Sequence, residues 1–270
     1  MIKIFYGDND NRDYNNPDAY AFLNWRMDNG LGSNDKENRA QMASDNYQMG
    51  KGYIGNALVS LFTIIENNNQ NNVADIMVFP ILFDAWHGLE LWLKSLCISL
   101  SLLYGETVTG KLQGHSIEKF YSDITKFLDK YDLKQVKEVA FSDLCNLINE
   151  FKRVNANFDF ARYSFSSKAE YQFYNAPYED VKQWQNKSGE CDKKIVPNTC
   201  VKLTAAFELI SNIFDNVGTL TEALILALEN GDVLTDSAYL NYLDSINKFK
   251  TELNKSDNRE SITILLEEIS

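Results

Sequence analysis

Three ionisable residues, His87, Glu90 and Lys94, occupy positions i, i+3 and i+7 of a strongly apolar stretch. On a helix they fall within an arc of about 60°. An imidazole beside a carboxylate and an ammonium suits general acid–base chemistry. The same trio also occurs as an ion-paired strip where two helices or two subunits meet. The pattern therefore predicts either a pocket wall in which His87 acts as acid or base, or a structural strip.

The element that carries this stripe is a helix predicted over 79–104. One side is lined with leucines at helical spacing, and large apolar residues cover most of the remaining surface. The leucines are Leu82, Leu89, Leu93, Leu96 and Leu100. A helix that is apolar nearly all round is buried. Its charged groups must then be paired with each other or face a wet pocket.

A second histidine, His115, stands in the run Gly114-His115-Ser116-Ile117, where a loop is predicted to enter the next helix. The positive end of a helix favours the neutral form of an imidazole over the charged form. A capping or surface histidine is the plainer alternative. Both interpretations place His115 at a loop-to-helix junction.

A third cluster begins at Asp159 and includes Arg162 and Tyr163, within an aromatic-rich stretch that has no helical periodicity. Arginine in such surroundings docks onto carboxylates or aromatic faces. We expect Arg162 to reach the stripe at Glu90 and to balance its charge. This segment would then cover the central helix.

The remaining pattern predicts an all-α protein with a polar arm over 1–34 and a single helical domain over 35–270. Glycines at 50, 52 and 55 either break the first helix in two or permit close packing. Further helices are predicted at 116–131, 133–154, 199–216, 219–230, 236–253 and 261–269, with an irregular stretch at 155–197.

Composition and the absence of known motifs exclude several classes of function. With 26 Lys and Arg against 38 Asp and Glu, the net charge of −12 argues against DNA binding. Phosphate-loop, dinucleotide, G-x-S-x-G and H-E-x-x-H motifs are all absent from the sequence, which predicts no cofactor. The four cysteines form no C-x-x-C pair, so no metal is expected.

The start lacks a signal-peptide pattern, and four ionisable residues interrupt the apolar 79–104 run. We therefore expect a cytoplasmic protein outside the membrane.

The three clusters together resemble a group of bacterial HEPN-like helical proteins. The resemblance rests on P-I-L-F-x-x-x-H-x-x-E-L-x-L-K-x-L from Pro80 to Leu96, on G-H-x-I-x-x-F from Gly114 to Phe120, and on Asp159 with Arg162-Tyr163. It covers about residues 40–220 and leaves 219–270 as additional C-terminal helices. It implies an antiparallel helical bundle, a homodimer and a place in antiphage defence, toxin–antitoxin or abortive-infection systems.

Many HEPN-like proteins are metal-independent endoribonucleases with an R-x4-6-H motif, whose Arg and His act on the scissile phosphate while the 2′-OH attacks. No arginine precedes His87 or His115 at that spacing. The resemblance thus implies a non-standard catalytic set of His87, His115 and Arg162, with Glu90, Lys94, Asp159 and Tyr163 around it. The alternative is a non-catalytic helical module that binds a partner protein or a nucleotide signal.

Overall fold

A computed structural model describes residues 35–110, 112, 114–154, 200–232 and 234–256, with the backbone alone for 249–256. These residues form helices and connecting turns without a strand, which confirms the all-α prediction for this part of the chain. The six α-helices are α1 (Asp35–Glu66), α2 (Ala74–Tyr104), α3 (Ile117–Lys130), α4 (Lys134–Val154), α5 (Leu203–Asn230) and α6 (Asp236–Ser256). The predicted arm 1–34, irregular stretch 155–197 and last helix 261–269 lie outside the described residues.

Helices α1 and α2 form an antiparallel hairpin, since Tyr47 on α1 pairs with Trp92 on α2 while Ala43 pairs with Ser95. The Trp92 indole Nε1 donates to the Tyr47 carbonyl at 2.9 Å, and Ser95 Oγ donates to the Ala43 carbonyl at 2.7 Å. Of the two alternatives for the glycines of α1, a break or close packing, the structure shows the second: α1 is one helix from Asp35 to Glu66, and Gly50 serves close packing. A Cβ on Gly50 would meet the indole at 2.5 Å.

Helix α3 runs in the same direction as α2. Near its start Phe120 lies under Lys94, and near its end Phe127 packs edge-on against Tyr104. The connection after α2 must therefore travel back along α2 before α3 begins. This return places residues next to the middle of α2 that are distant from it in sequence.

Helices α4, α5 and α6 complete the bundle. Near the end of α4, Phe151 stacks on Trp86 of α2 at 4.6 Å between ring centroids. The predicted break between 216 and 219 is wrong, because α5 is one helix from Leu203 to Asn230. Its Gly218 is retained within the helix since the Trp92 ring occupies the space of a side chain. Helix α6 is tied to the body where Asp236 Oδ1 accepts from Val136 N at 3.1 Å.

Helix α2 begins at Ala74, earlier than the sequence predicted, so Pro80 lies within the helix and not in its first turn. Proline removes one helical hydrogen bond, to the carbonyl four residues before it. Here that residue is Ile76, which is 73% exposed, and water can bond its carbonyl. Within the described part of the chain, α2 alone is long and apolar enough to cross a membrane, and half of its most apolar stretch is buried inside the protein.

Candidate functional site

Glu90 lies on α2 with its side chain only 4% exposed, and two groups meet its carboxylate. Lys94 Nζ donates to Oε1 at 2.6 Å, and His115 Nδ1 lies 2.9 Å from the same oxygen. Because a carboxylate oxygen accepts, the proton in the second contact is carried by Nδ1 of the imidazole. The structure thus joins a buried carboxylate to an ammonium and an imidazole.

His115 reaches Glu90 although the two residues are 25 positions apart. Ser116 begins α3 as its N-cap: its backbone is extended and its hydroxyl accepts from Lys119 N at 3.3 Å. His115 precedes this cap, at the point where the returning chain meets the middle of α2. The loop-to-helix placement predicted for His115 is therefore confirmed.

The two partners of Glu90 differ in exposure. The Lys94 side chain is 16% exposed and its ammonium lies 5.9 Å from the centroid of the buried Phe120 ring. The His115 side chain is 76% exposed. Lys94 is therefore enclosed within the protein, whereas His115 presents most of its ring to solvent while Nδ1 is held by Glu90. In the neutral ring, an Nδ1 that donates to Glu90 leaves Nε2 as the acceptor nitrogen.

His87 lies in aromatic surroundings one turn before Glu90. Its ring stacks on Phe83 at 5.7 Å and meets the edge of Tyr53 at 4.7 Å between centroids. The predicted stripe of His87, Glu90 and Lys94 thus contains a short ion pair at one end and a ring stack at the other.

Three of the predicted site residues, Asp159, Arg162 and Tyr163, lie outside the described residues. The described site consists of Glu90 and Lys94 from the central stripe and His115 from the second cluster. The contacts of Glu90 with Lys94 and His115 agree with the alternative in which buried charges on α2 are paired.

An open groove between α3 and α4 adjoins this site and was missed by sequence reasoning. It has a volume of about 470 Å³, and Ser116, the residue that follows His115 in the sequence, is one of its lining residues. Its lining also includes Tyr121, Cys145, Lys119 and the ion pair of Lys152 with Glu118. The amphipathic pattern of each helix marks only the inward face, so nothing in the sequence indicated which outer residues line a common groove.

Two titrating groups beside the groove are perturbed. Burial, together with a hydrogen bond to Cys145, raises the pKa of Tyr121 to about 12. Burial of Asp123 acts to raise the pKa of its carboxyl, but the hydrogen bond from Lys119 contributes to a net lowering. Tyr121 is thus a neutral hydroxyl at physiological pH, and Asp123 is a carboxylate.

The described residues contain no group of three or more His, Cys, Asp or Glu side chains arranged to hold a metal ion. The side chains of the described site can transfer a proton at His115 and can donate hydrogen bonds or stabilise charge through Lys94.

The fold and site define an all-α bundle with a carboxylate–imidazole pair at the junction of two helices. Comparison with protein-family models, curated proteins and solved structures finds no match to this chain. Function must accordingly be inferred from the side chains themselves and from the sequence resemblance.

Proposed function

We propose that this chain is a HEPN-like protein of a bacterial defence or toxin-type system that cleaves RNA without a metal, with His115 as its general base. The observation that supports this proposal is the hydrogen bond from exposed His115 to buried Glu90. A carboxylate bonded to Nδ1 orients the ring and stabilises the imidazolium that forms when Nε2 takes a proton. Glu90 is then a positioning residue.

In the proposed reaction, Nε2 of His115 removes the proton of a ribose 2′-OH. The 2′-oxygen forms a bond to phosphorus, the bond to the 5′-oxygen breaks, and that oxygen takes up a proton from solvent. The product is a 2′,3′-cyclic phosphate, and no metal or oxidant is required. His87 and Arg162 remain predicted members of the same site, and a homodimer in the cytoplasm remains the expected assembly.

The test is tight induction in a bacterial host of the parent, His115→Ala, Glu90→Gln, His87→Ala and Arg162→Ala, followed by growth measurement and electrophoresis of total RNA. We expect the parent to arrest growth and fragment RNA. Loss of a general base slows cleavage about 10²–10⁴-fold, so His115→Ala should leave RNA intact. Lys248→Ala, an exposed change on α6, is the control.

Two results would overturn the proposal: RNA fragmentation by His115→Ala equal to that of the parent, or intact RNA and normal growth with the folded parent. Circular dichroism of each variant confirms that a loss of cleavage does not reflect unfolding. Loss in His87→Ala or Arg162→Ala alone would transfer the catalytic role to those residues.

The second candidate function is a non-catalytic module that binds a partner protein or a nucleotide signal. An exposed apolar surface at the start of α2, formed by Val73, Ile76 and Met77, favours a protein partner. Contiguous exposed apolar patches mark sites of interaction with other proteins. Under this function RNA stays intact, and Ile76→Asp abolishes co-purification of the partner while the melting temperature is unchanged. Co-purification that survives Ile76→Asp would exclude this surface.

A further inference from the structure

Lys94 and His115 share one oxygen of the buried Glu90 carboxylate. Lys94 Nζ donates to Oε1 at 2.6 Å, and His115 Nδ1 lies 2.9 Å from that same atom. The ammonium and the imidazole nitrogen are therefore separated by no more than the sum of these two distances. At such a separation, the charge of one group affects the ionisation of the other.

The Lys94 ammonium is confined to this position. Its side chain is 16% exposed, and Nζ lies over the fully buried ring of Phe120. Lys94 also follows Glu90 by one helical turn, so the ion pair is formed within α2 and needs no other element. An exposed lysine exchanges its partner for water, whereas this enclosed ammonium keeps its charge beside the imidazole.

The charges of the trio determine which form of His115 is favoured. Glu90 and Lys94 neutralise each other, so a proton added to His115 gives the trio a net positive charge. If Lys94 were uncharged, the same proton would instead neutralise a buried carboxylate, which is strongly favourable. Lys94 therefore favours the uncharged imidazole, whose Nε2 can accept a proton.

The other titratable groups around His115 contribute less net charge. On α2, the His87 ring is stacked on Phe83 one turn before Glu90. In the described part of the preceding loop and in the first turn of α3, each charged residue is held in an ion pair: Glu106 with Lys130, Glu118 with Lys152, and Lys119 with Asp123. Each of these pairs is neutral, so Lys94 is the cation that acts on the shared carboxylate.

We infer that Lys94 is a positioning residue that holds the Glu90 carboxylate beside His115 and keeps this imidazole in its proton-accepting form. This inference deepens the proposed function, and its consequence for cleavage rests on the role of His115 as general base. The protonation of His115 itself can be measured in the resting protein, without RNA.

The test is an NMR pH titration of the imidazole signals in the full chain. Because the chain has two histidines, His87→Ala identifies the signals of His115. Lys94→Gln removes the charge and keeps a hydrogen-bond donor for Glu90. We expect the midpoint of the His115 titration to rise by about one pH unit in this variant, since the uncompensated carboxylate stabilises the imidazolium. The acid limb of the RNA cleavage profile should move to higher pH by the same interval.

Two controls separate the charge of Lys94 from other effects. Lys94→Arg keeps the positive charge, so its midpoint should stay within about 0.3 unit of the parent. Lys119→Gln is the matched control, because it removes a positive charge from a 51% exposed lysine that pairs with Asp123 and not with Glu90. Its effect on the midpoint should also remain under about 0.3 unit.

A second pair of variants covers the case in which Lys94→Gln does not fold around an unpaired carboxylate. Glu90→Gln and the double variant Glu90→Gln/Lys94→Gln both lack that carboxylate. The double variant should titrate at a higher pH than Glu90→Gln, because the ammonium no longer repels the imidazolium. Circular dichroism establishes which variants are folded.

The inference is overturned if the His115 midpoint is unchanged or lower in folded Lys94→Gln, or in the double variant relative to Glu90→Gln. It is also overturned if Lys119→Gln raises the midpoint as much as Lys94→Gln does, because the net charge of the protein would then be the cause. A midpoint that rises as expected while the parent leaves RNA intact would reject only the cleavage proposal.

Discussion

Trp92 and Glu90 are two residues apart on α2 and both are buried, yet their surroundings differ. The Trp92 indole is fully enclosed, with a glycine of α1 on one side and a glycine of α5 on the other. Its single polar atom is satisfied by the Tyr47 carbonyl. The Glu90 carboxylate is enclosed almost as completely, but its partners are an ammonium and a mostly exposed imidazole.

Helix α2 thus packs the core of the bundle through Trp92 and holds a charged group in the protein through Glu90. The Trp92 side stabilises the bundle by close packing, which tolerates little change in volume. The Glu90 side keeps a charged group in the protein at the cost of desolvation, which only its partners offset. Glu90 is therefore a buried charge with one enclosed and one exposed partner.

The largest effect is expected from Glu90→Ala, which leaves the Lys94 ammonium enclosed without its carboxylate. Breaking a buried pair costs about 3 kcal/mol or more, so the free energy of unfolding in urea should fall by that amount. Asp244→Ala, which removes an exposed partner of Lys248, is the matched control and should cost under about 1 kcal/mol. Equal stability of Glu90→Ala and the parent would mean that the pair is solvated.

The next largest effect is expected at the close packing around Trp92, which two glycines of α1 can test. A Cβ on Gly50 would lie 2.8 Å from the Gly88 carbonyl oxygen, so Gly50→Ala should destabilise by about 1–3 kcal/mol through overpacking. A Cβ on Gly52 meets nothing within 4 Å, so Gly52→Ala should stabilise by about 0.5–1 kcal/mol through helix propensity. Thermal unfolding of both variants gives the two signs, and a shared sign would refute close packing at Gly50.

The smallest effect is expected on how the free energy of unfolding depends on pH when the Asp123 carboxylate is removed. The pKa of Asp123 lies below its ordinary value of 3.8, since the hydrogen bonds and charges about it outweigh its burial. Its contribution to stability is therefore complete above that value and is lost as the pH falls through the lower, folded-state pKa. Asp123→Asn should remove less than about 1 kcal/mol at pH 7 and flatten the decline in acid.

Urea unfolding of the parent and Asp123→Asn at pH 7 and in steps below pH 4 measures this difference. Asp244→Asn on α6 is the control. A gap between parent and Asp123→Asn that grows as the pH falls would contradict the predicted sign.

Local signals explain how much of the fold was predictable. The helical period and the Ser116 cap are properties of neighbouring residues, and they placed α3 to within a residue at each end. The start of α2 was not predictable in the same way. Pro80 signals a helix boundary by its missing N–H, yet in the structure it lies inside α2, where the preceding turn carries the exposed Ile76.

In the candidate site, too, contacts within one helix were predictable and contacts between distant segments were not. The stripe of Glu90 and Lys94 was predicted because both residues belong to one helical face, and their ion pair needs no other element. The contact from His115 was not predictable, because it depends on a chain that returns along α2 before α3 begins. The α3/α4 groove likewise depends on which outer faces meet, and the segment with Asp159, Arg162 and Tyr163 lies outside the described residues.

The sequence by itself determined the helical class of the described chain, and it predicted that α2 is buried with its charges either paired or facing a pocket. These follow from periodicity and from the cost of an unpaired buried charge. Only the tertiary structure decided that α5 continues through Gly218, where the Trp92 ring replaces a side chain. It also decided that His115 shares the carboxylate of Glu90. Both results arise from the relative placement of helices, which no short stretch of residues encodes.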